Sequence, residues 1–420
     1  MAAHFDYKKR ILSTFLPSDA QSQIVLVTGA RQTGKTTISK VQYPNLRYIN
    51  LDAIENREKL KSIHTAQWGQ QIGAAIIDEA QKEPSVFEKM KFAYDEGSLS
   101  FSVLLGSSQI LLMKQIRESL AGRVSIYELF PFMMSELFTN HHFPLALPLF
   151  DYLLQTKELN ETLHNIAAVL FDEDEAQRKA AQAHLLTWGG MPSLLTLTDE
   201  QRFKWIQDYE YTYLERDLAD LARISDLQPF RIFQKLSAMR AAQLLNYSEL
   251  ARDAGISADT AKRYLEYLKL SYQVELLQPY YKNLTSSVVK SPKIYWIDIG
   301  IWRSLSGFSG AMSGQLYENM VVSECIKWIK TANRRAELYF YRTRSGSELD
   351  LIIQTPHGII ALEIKSRADI IHKDYKNMLE VAKKLETEWL GGLIVYNGNV
   401  IKKVAEPSIW AIPSWRLFTP

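Results

Sequence analysis

Gly29, Gly34, Lys35 and Thr36, in the stretch IVLVTGARQTGKTT (24–37), have the types and spacing needed to hold the phosphates of a nucleotide. The G-x-x-x-x-G-K-T pattern follows an apolar run that reads as a buried strand, which is the setting the mechanism requires. Glycine lets the backbone wrap, so that N–H groups of Gly29, Arg31, Gln32, Thr33, Gly34, Lys35, Thr36 and Thr37 can face an anion at a helix start. Lys35 is expected to reach the β- and γ-phosphates, and the Thr36 hydroxyl to hold Mg²⁺. ATP and Mg²⁺ are therefore the expected cofactors. The competing structural reading is a plain glycine turn between a strand and a helix.

Such a site needs an acid on the metal side, and AAIIDE (74–79) supplies one at the end of an apolar run. Asp78 is expected to bind Mg²⁺ through its water shell, and Glu79 to orient and polarise the attacking water. A third run, FSVLLGSS (101–108), ends in polar residues, and Ser107 is the candidate for contact with the γ-phosphate or the water. Three apolar strands ending in polar chemistry predict a parallel α/β sheet with its ligand at the carboxyl edge. Transition-state charge on the γ-phosphate calls for a further cation, often from a neighbouring subunit. Arg117, Arg123 and Arg216 are the candidates.

A second set of reactive residues lies in GSELDLIIQTPHGIIALEIKS (346–366), two short apolar strands around a Thr-Pro-His-Gly turn. If Gln354 faces Ile359, Leu351 faces Leu362 and Asp350 faces Glu363. Side-chain alternation then puts Leu349, Leu351, Ile353, Ile360, Leu362 and Ile364 on one apolar face, and Asp350, Glu363 and Lys365 on the other. Opposed carboxylates cost stability unless a cation joins them, and a divalent metal with oxygen ligands would do so. Lys365 is placed to act on a water or to offset charge on a phosphate, and Glu318 of a preceding helix could complete the metal shell. That set would suit metal-assisted phosphodiester hydrolysis. The alternative is that Lys365 simply neutralises the acids on a solvated rim.

The elements that must position these residues follow from the rest of the chain. At 420 residues it suggests several domains, and its composition is that of an ordinary soluble protein. A net charge of +2 leaves any nucleic-acid binding to a local patch. One cysteine, Cys325, excludes an intrachain disulfide. No apolar run approaches a membrane span and no signal peptide is evident, so a cytoplasmic protein is expected. Residues 1–139 read as the phosphate-loop core and 140–226 as a helical lid. Residues 227–290 read as a winged helix-turn-helix, carried by NYSELARDAGISADTAKRYLEYL (246–268) with Ser257 as N-cap. Leu250, Ala251, Ile256, Ala261, Leu265 and Leu268 would form its inner face. Asp259, Thr260, Lys262, Arg263 and Tyr264 would be polar or partly exposed. Whether it reads DNA or acts as a spacer stays open, because Asp259 and Glu266 counter its two basic residues. Residues 291–420 form the last segment, with an amphipathic helix at 314–330 ahead of the strand LYFYRTR and the hairpin.

The ordered set GARQTGKTT, IIDEAQ, LLGSS, ESLAGR, WGGMP, TYLERDL, NYSELARDAGIS, SPKIYWIDIG, YENMVVSE, RTRSGSELD and ALEIKS resembles a family of prokaryotic AAA-type P-loop ATPases. Its members carry a winged helix and a C-terminal restriction-endonuclease-like, PD-(D/E)XK domain, and the resemblance spans nearly the whole chain. The nuclease-fold pattern maps onto Glu318, Asp350, Glu363 and Lys365, all present. The resemblance implies an ATPase acting on DNA as a homo-oligomer, with Mg²⁺ or Mn²⁺ held by Glu318, Asp350 and Glu363. A regulatory ATPase switch that binds partners without cleaving DNA is the alternative. A small-molecule kinase is disfavoured by the long helical extension.

Overall fold

The computed structural model describes residues 7–106, 112, 115–166, 172–214, 227–280, 291–343 and 346–420. Five parallel strands form the first sheet: β1 (Ile24–Thr28), β2 (Arg47–Asn50), β3 (Ala75–Asp78), β4 (Ser102–Gly106) and β5 (Val124–Glu128). Their order is β2-β3-β4-β1-β5. Every residue of β1, β3 and β4 is buried, as expected of strands covered on both faces, and this is why they read as unbroken apolar runs. Because β4 lies between β1 and β3, the end of β1, the end of β3 and Gly106 reach one edge together.

Helices Leu149–Gln155, Leu159–His164, Asp172–Trp188 and Asp199–Tyr209 fill the middle of the chain. The helix pair Tyr247–Asp253 and Ala258–Leu270 follows, with Asn246 and Ser257 as N-caps accepting from Glu249 N and Thr260 N. Leu250, Ala251, Ala261, Leu265 and Leu268 are buried, and Ile256 is half-buried. Tyr264 departs from expectation. It is buried, edge-on to Phe230 and Phe233 with ring centroids 5.1 and 5.6 Å away, because a third helix, Gln228–Met239, covers that side.

Eight strands form the second sheet: β6 (Val274–Pro279), β7 (Lys293–Trp296), β8 (Glu337–Arg342), β9 (Glu348–Thr355), β10 (Gly358–Lys365), β11 (Trp389–Tyr396), β12 (Lys402–Ala405) and β13 (Ile409–Pro413). Their order is β12-β13-β11-β10-β9-β8-β6-β7, so pairing is continuous between strands before and after residue 291. The β9–β10 register has Ile359 facing Gln354 and Leu362 facing Leu351, as the turn length predicts. The pairing of β8 with β9 shifts by one residue between Tyr339 and Tyr341, so Phe340 faces both Asp350 and Leu351. That bulge breaks the expected alternation. Leu349 joins the core on the side of Ile352 and Ala361, opposite Leu351, Ile353, Ile360, Leu362 and Ile364. The helix Gly314–Thr331, expected to be amphipathic, is buried along nearly its whole length because it packs against β5, β7, β10 and the helices around them.

One apolar cluster runs from Ile11 to Phe418 through the helical middle, the helix pair and the second sheet. Buried polar contacts cross the same region. Phe132 N donates to Gly190 O (2.6 Å), Gly190 N to Asp298 Oδ2 (2.8 Å), and Met134 N to Glu324 Oε2 (2.7 Å). A Cβ at Gly190 would come within 2.2 Å of Phe132 O, which is why the loop after Trp188 needs glycine there. At the other end, Arg10 Nε donates to Glu136 Oε1 at 3.0 Å, with side-chain exposures of 5% and 1%. Breaking a buried ion pair strands the remaining charge, typically costing about 3–5 kcal/mol. Arg10→Met and Glu136→Gln should each lower the unfolding free energy measured by chemical denaturation by that order, whereas Lys204→Met, from an exposed pair with Asp208, should leave it nearly unchanged.

Candidate functional site

The phosphate loop is built on two left-handed glycines. Gly29 (φ 151°) passes so close to β5 that a Cβ would sit 2.1 Å from Leu129 O, and Gly34 (φ 95°) caps the helix Lys35–Gln42. Gln32 also has a positive φ of 63°, while Thr33 is buried with its hydroxyl on Ala30 O (2.9 Å). Lys35 Nζ donates to Gly29 O (3.0 Å) and Ala30 O (2.8 Å), so its ammonium lies inside the loop's own curve. Thr37 is exposed on the next turn. Arg31 O accepts from Tyr209 OH (3.2 Å), bringing the helix Asp199–Tyr209 onto the loop.

Across the edge, Thr36 Oγ1 donates to Asp78 Oδ2 at 2.7 Å. A hydroxyl and a buried carboxylate meeting beside the loop are the donor set that Mg²⁺ with a nucleotide requires, so these residues fit that ion. Tyr48 OH donates to the same Asp78 oxygen (2.8 Å), and burial, then this hydrogen bond, pushes its phenol upward. Glu79 takes a left-handed conformation (φ 55°), rare for a non-glycine residue, and its carboxylate accepts from Gln81 Nε2 (2.6 Å). Arg10 donates to Thr33 O at 2.8 Å from behind. Tyr48, Gln81 and Arg10 had no sequence signal beyond their neighbourhood. Arg123 makes a two-pronged pair with Asp95 (2.7 and 3.1 Å). Ser107, Arg216 and the side chain of Arg117 lie outside the described residues.

The second constellation gathers around the hairpin's open end. Asp350, at the bulge, accepts from Ile364 N at 2.8 Å, and Lys365 Nζ donates to Glu363 Oε1 at 2.6 Å. Glu363 Oε2 is buried with no partner among the described residues. Glu318 Oε1 accepts from Tyr295 OH (2.7 Å) and Lys293 Nζ (3.2 Å). A cavity of about 390 Å³ opens here, lined by Gly314, Gln315, Glu318, Asp350, Lys365 and Arg367 among others. The four expected residues are thus brought into one acidic cluster. Lys293, Tyr295 and Glu348 join it unannounced, since a lone lysine at the start of an apolar strand has no pattern to betray it. Among the described residues, no three His, Cys, Asp or Glu side chains are arranged to hold a metal ion. As built, the cluster is bridged by lysines, and the expected three-carboxylate metal shell of Glu318, Asp350 and Glu363 does not fit it.

Burial, followed by the charge on Asp350, raises Glu318 to about 7 and Glu363 to about 8. For Lys365 burial works downward, but Glu363 and Asp350 outweigh it and the shift is upward. With its folded value above its ordinary 4.5, Glu363 keeps a proton that the unfolded chain has released. Its contribution to stability is therefore full below about pH 4.5 and is lost as pH rises through about 8. The melting temperature of Glu363→Gln relative to the unsubstituted protein should accordingly rise between pH 5 and pH 9; a constant difference across that window (5 to 9) would contradict the assignment.

Residues 21–138 match the AAA domain family, and residues 180–311 and 313–417 match two domains of unknown function, DUF8612 and DUF4143. An uncharacterised protein of Mycobacterium tuberculosis is 29% identical over 82% of this chain and 70% of its own length. An uncharacterised protein of Methanocaldococcus jannaschii is 25% identical over 94% of this chain and 88% of its own. A Walker-type ATPase of Pyrococcus abyssi aligns in structure over 71% of this chain and 96% of its own, at 14% identity and a TM-score of 0.42. Among the described residues, no helix is long and apolar enough to cross a membrane. Phosphate loop, acid pair, strand order and family match agree: residues 21–138 are an AAA-type P-loop ATPase domain.

Proposed function

We propose that this protein hydrolyses ATP at residues 29–37 and uses nucleotide state to drive action on DNA by its C-terminal part. The observation that carries the first half is the Thr36–Asp78 contact at the mouth of the loop holding Lys35. Lys35 would swing from its two carbonyls to the β- and γ-phosphates, exchanging neutral acceptors for charged ones. Thr36 and Asp78 would hold Mg²⁺, which supplies charge neutralisation on the phosphate oxygens when bound. Glu79, fixed by Gln81, would orient the attacking water and accept its proton. Ser107 would contact the γ-phosphate or the water from β4. In a homo-oligomer, Arg117, Arg123 or Arg216 would serve a neighbour's site, and Arg123 would first have to leave its pair with Asp95.

For the second half, the helix pair 247–270 with β6 and β7 is read as a winged helix. The helix of Glu318, the β9–β10 hairpin and parallel β11 are read as a restriction-endonuclease-like fold. Asp350, Glu363 and Lys365 would then form the set that acts on a phosphodiester, with Lys365 offsetting phosphate charge. Two contacts support transmission between the parts: Met134 N on Glu324 Oε2 (2.7 Å), and Tyr272 OH on Thr28 Oγ1 (3.3 Å), just ahead of the loop. The lysine-bridged state of the acids favours a second reading, a regulatory switch that binds DNA or protein without cutting.

Purified protein should hydrolyse ATP, and Lys35→Ala should abolish it. DNA should stimulate hydrolysis several-fold in a salt-sensitive manner, because phosphate contacts release counterions. Asp350→Ala and Lys365→Ala should lose DNA cleavage while keeping ATP hydrolysis. Hydrolysis that ignores DNA, with no cleavage by the unsubstituted protein, would select the switch.

A further inference from the structure

Lys293, the first residue of β7, is a buried ammonium with a side-chain exposure of 3%. Its Nζ lies 3.2 Å from Glu318 Oε1 and 2.8 Å from Glu348 Oε1. Tyr295, two residues along the same strand and so on the same face, donates to Glu318 Oε1 at 2.7 Å. Arg342 NH1 sits 3.3 Å from the other Glu348 oxygen. Burial alone would favour neutral lysine, but Glu318, Asp350 and Glu348 outweigh it and raise its proton affinity. A buried charge persists only when paired, and one of its two carboxylate partners, Glu318, is an acid that a divalent ion would otherwise join. Phe340, with ring centroid 5.7 Å from Nζ, walls off the apolar side.

We infer that Lys293 is a built-in counter-ion of the acidic cluster, and that a divalent cation gains Glu318 only by displacing it. The inference rests on the reading of the cluster as a functional site. It turns the missing three-carboxylate arrangement into a property of the chain: Glu318 is directed to β7 by Lys293 and Tyr295, and Glu363 to Lys365. Lys293 is thus a positioning residue whose removal should open the cluster to metal.

The test is Mn²⁺ titration of the full chain without nucleotide, by calorimetry and by the electron paramagnetic resonance of free Mn²⁺. Lys293→Met should bind Mn²⁺ at least about tenfold tighter than the unsubstituted protein, a conservative floor for deleting a unit charge a few ångströms away. Lys293→Arg, which keeps the charge, should stay near the original affinity. Lys293→Gln, whose amide can still donate to the acids, should show the same gain as Lys293→Met and guards against misfolding of the latter. Adding Asp350→Asn to either neutral variant should remove the gain. Affinity unchanged or lowered in Lys293→Met and Lys293→Gln overturns the inference, as does a gain that survives Asp350→Asn or a complete lack of Mn²⁺ binding in every form. DNA cleavage by the unsubstituted protein alongside any of those results would leave the proposed function standing. Tighter Mn²⁺ in the variants without cleavage would do the reverse.

Discussion

A guanidinium taken out of water must find acceptors for its fixed fork of donors, and Arg10 sets that demand at the base of the ATPase domain. Its Nε meets Glu136, NH1 meets Thr33 O inside the phosphate loop, and NH2 meets Phe130 O just beyond β5. The Glu136 carboxylate in turn accepts from Ile11 N (2.7 Å) and Met133 N (2.9 Å). The ring of Phe132 lies 4.3 Å below the charge. Three separate stretches are therefore held at one point, and none can shift without leaving a buried polar group unpaired. The segment after β5 then hands the constraint onward through Phe132 to Gly190 and through Met134 to Glu324, on the helix that also carries Glu318.

That continuity gives the chain a particular character. The ATPase sheet keeps its own apolar layers, but the helical middle and the second sheet share one core. Within that core the acidic cluster is an unusual concentration of charge, and lysines placed at 2.6 to 3.2 Å keep it tolerable. The raised values of Glu318 and Glu363 express the same strain from the side of the acids. Buried acids with perturbed proton affinity, such as Glu363 with its unpartnered Oε2 among the described residues, are the kind of group that concentrates at functional sites.

Local chemistry was legible in the sequence wherever a pattern is short and fixed by the backbone. The phosphate loop, Asp78 and the β9–β10 register all follow from spacing, because turn length and glycine placement leave few options. The Asp350 bulge was not legible, since it arises from pairing with β8, a neighbour set by tertiary packing rather than by the hairpin. Tyr264 looked like a surface position until a third helix covered it. Arg10 and Lys293 were invisible for a related reason. Each is a single basic residue whose partners lie far along the chain, at Glu136 and at Glu318 and Glu348.

Under the proposed function, nucleotide state at the phosphate loop is felt by the C-terminal part through the buried junction. Amide hydrogen exchange with and without a non-hydrolysable ATP analogue and Mg²⁺ tests it directly. Nucleotide-dependent changes in residues 28–37 should extend through 128–138 into the helix carrying Glu318 and Glu324, and should vanish in Lys35→Ala. Changes confined to residues 28–37, with the junction and that helix unaffected, would contradict it.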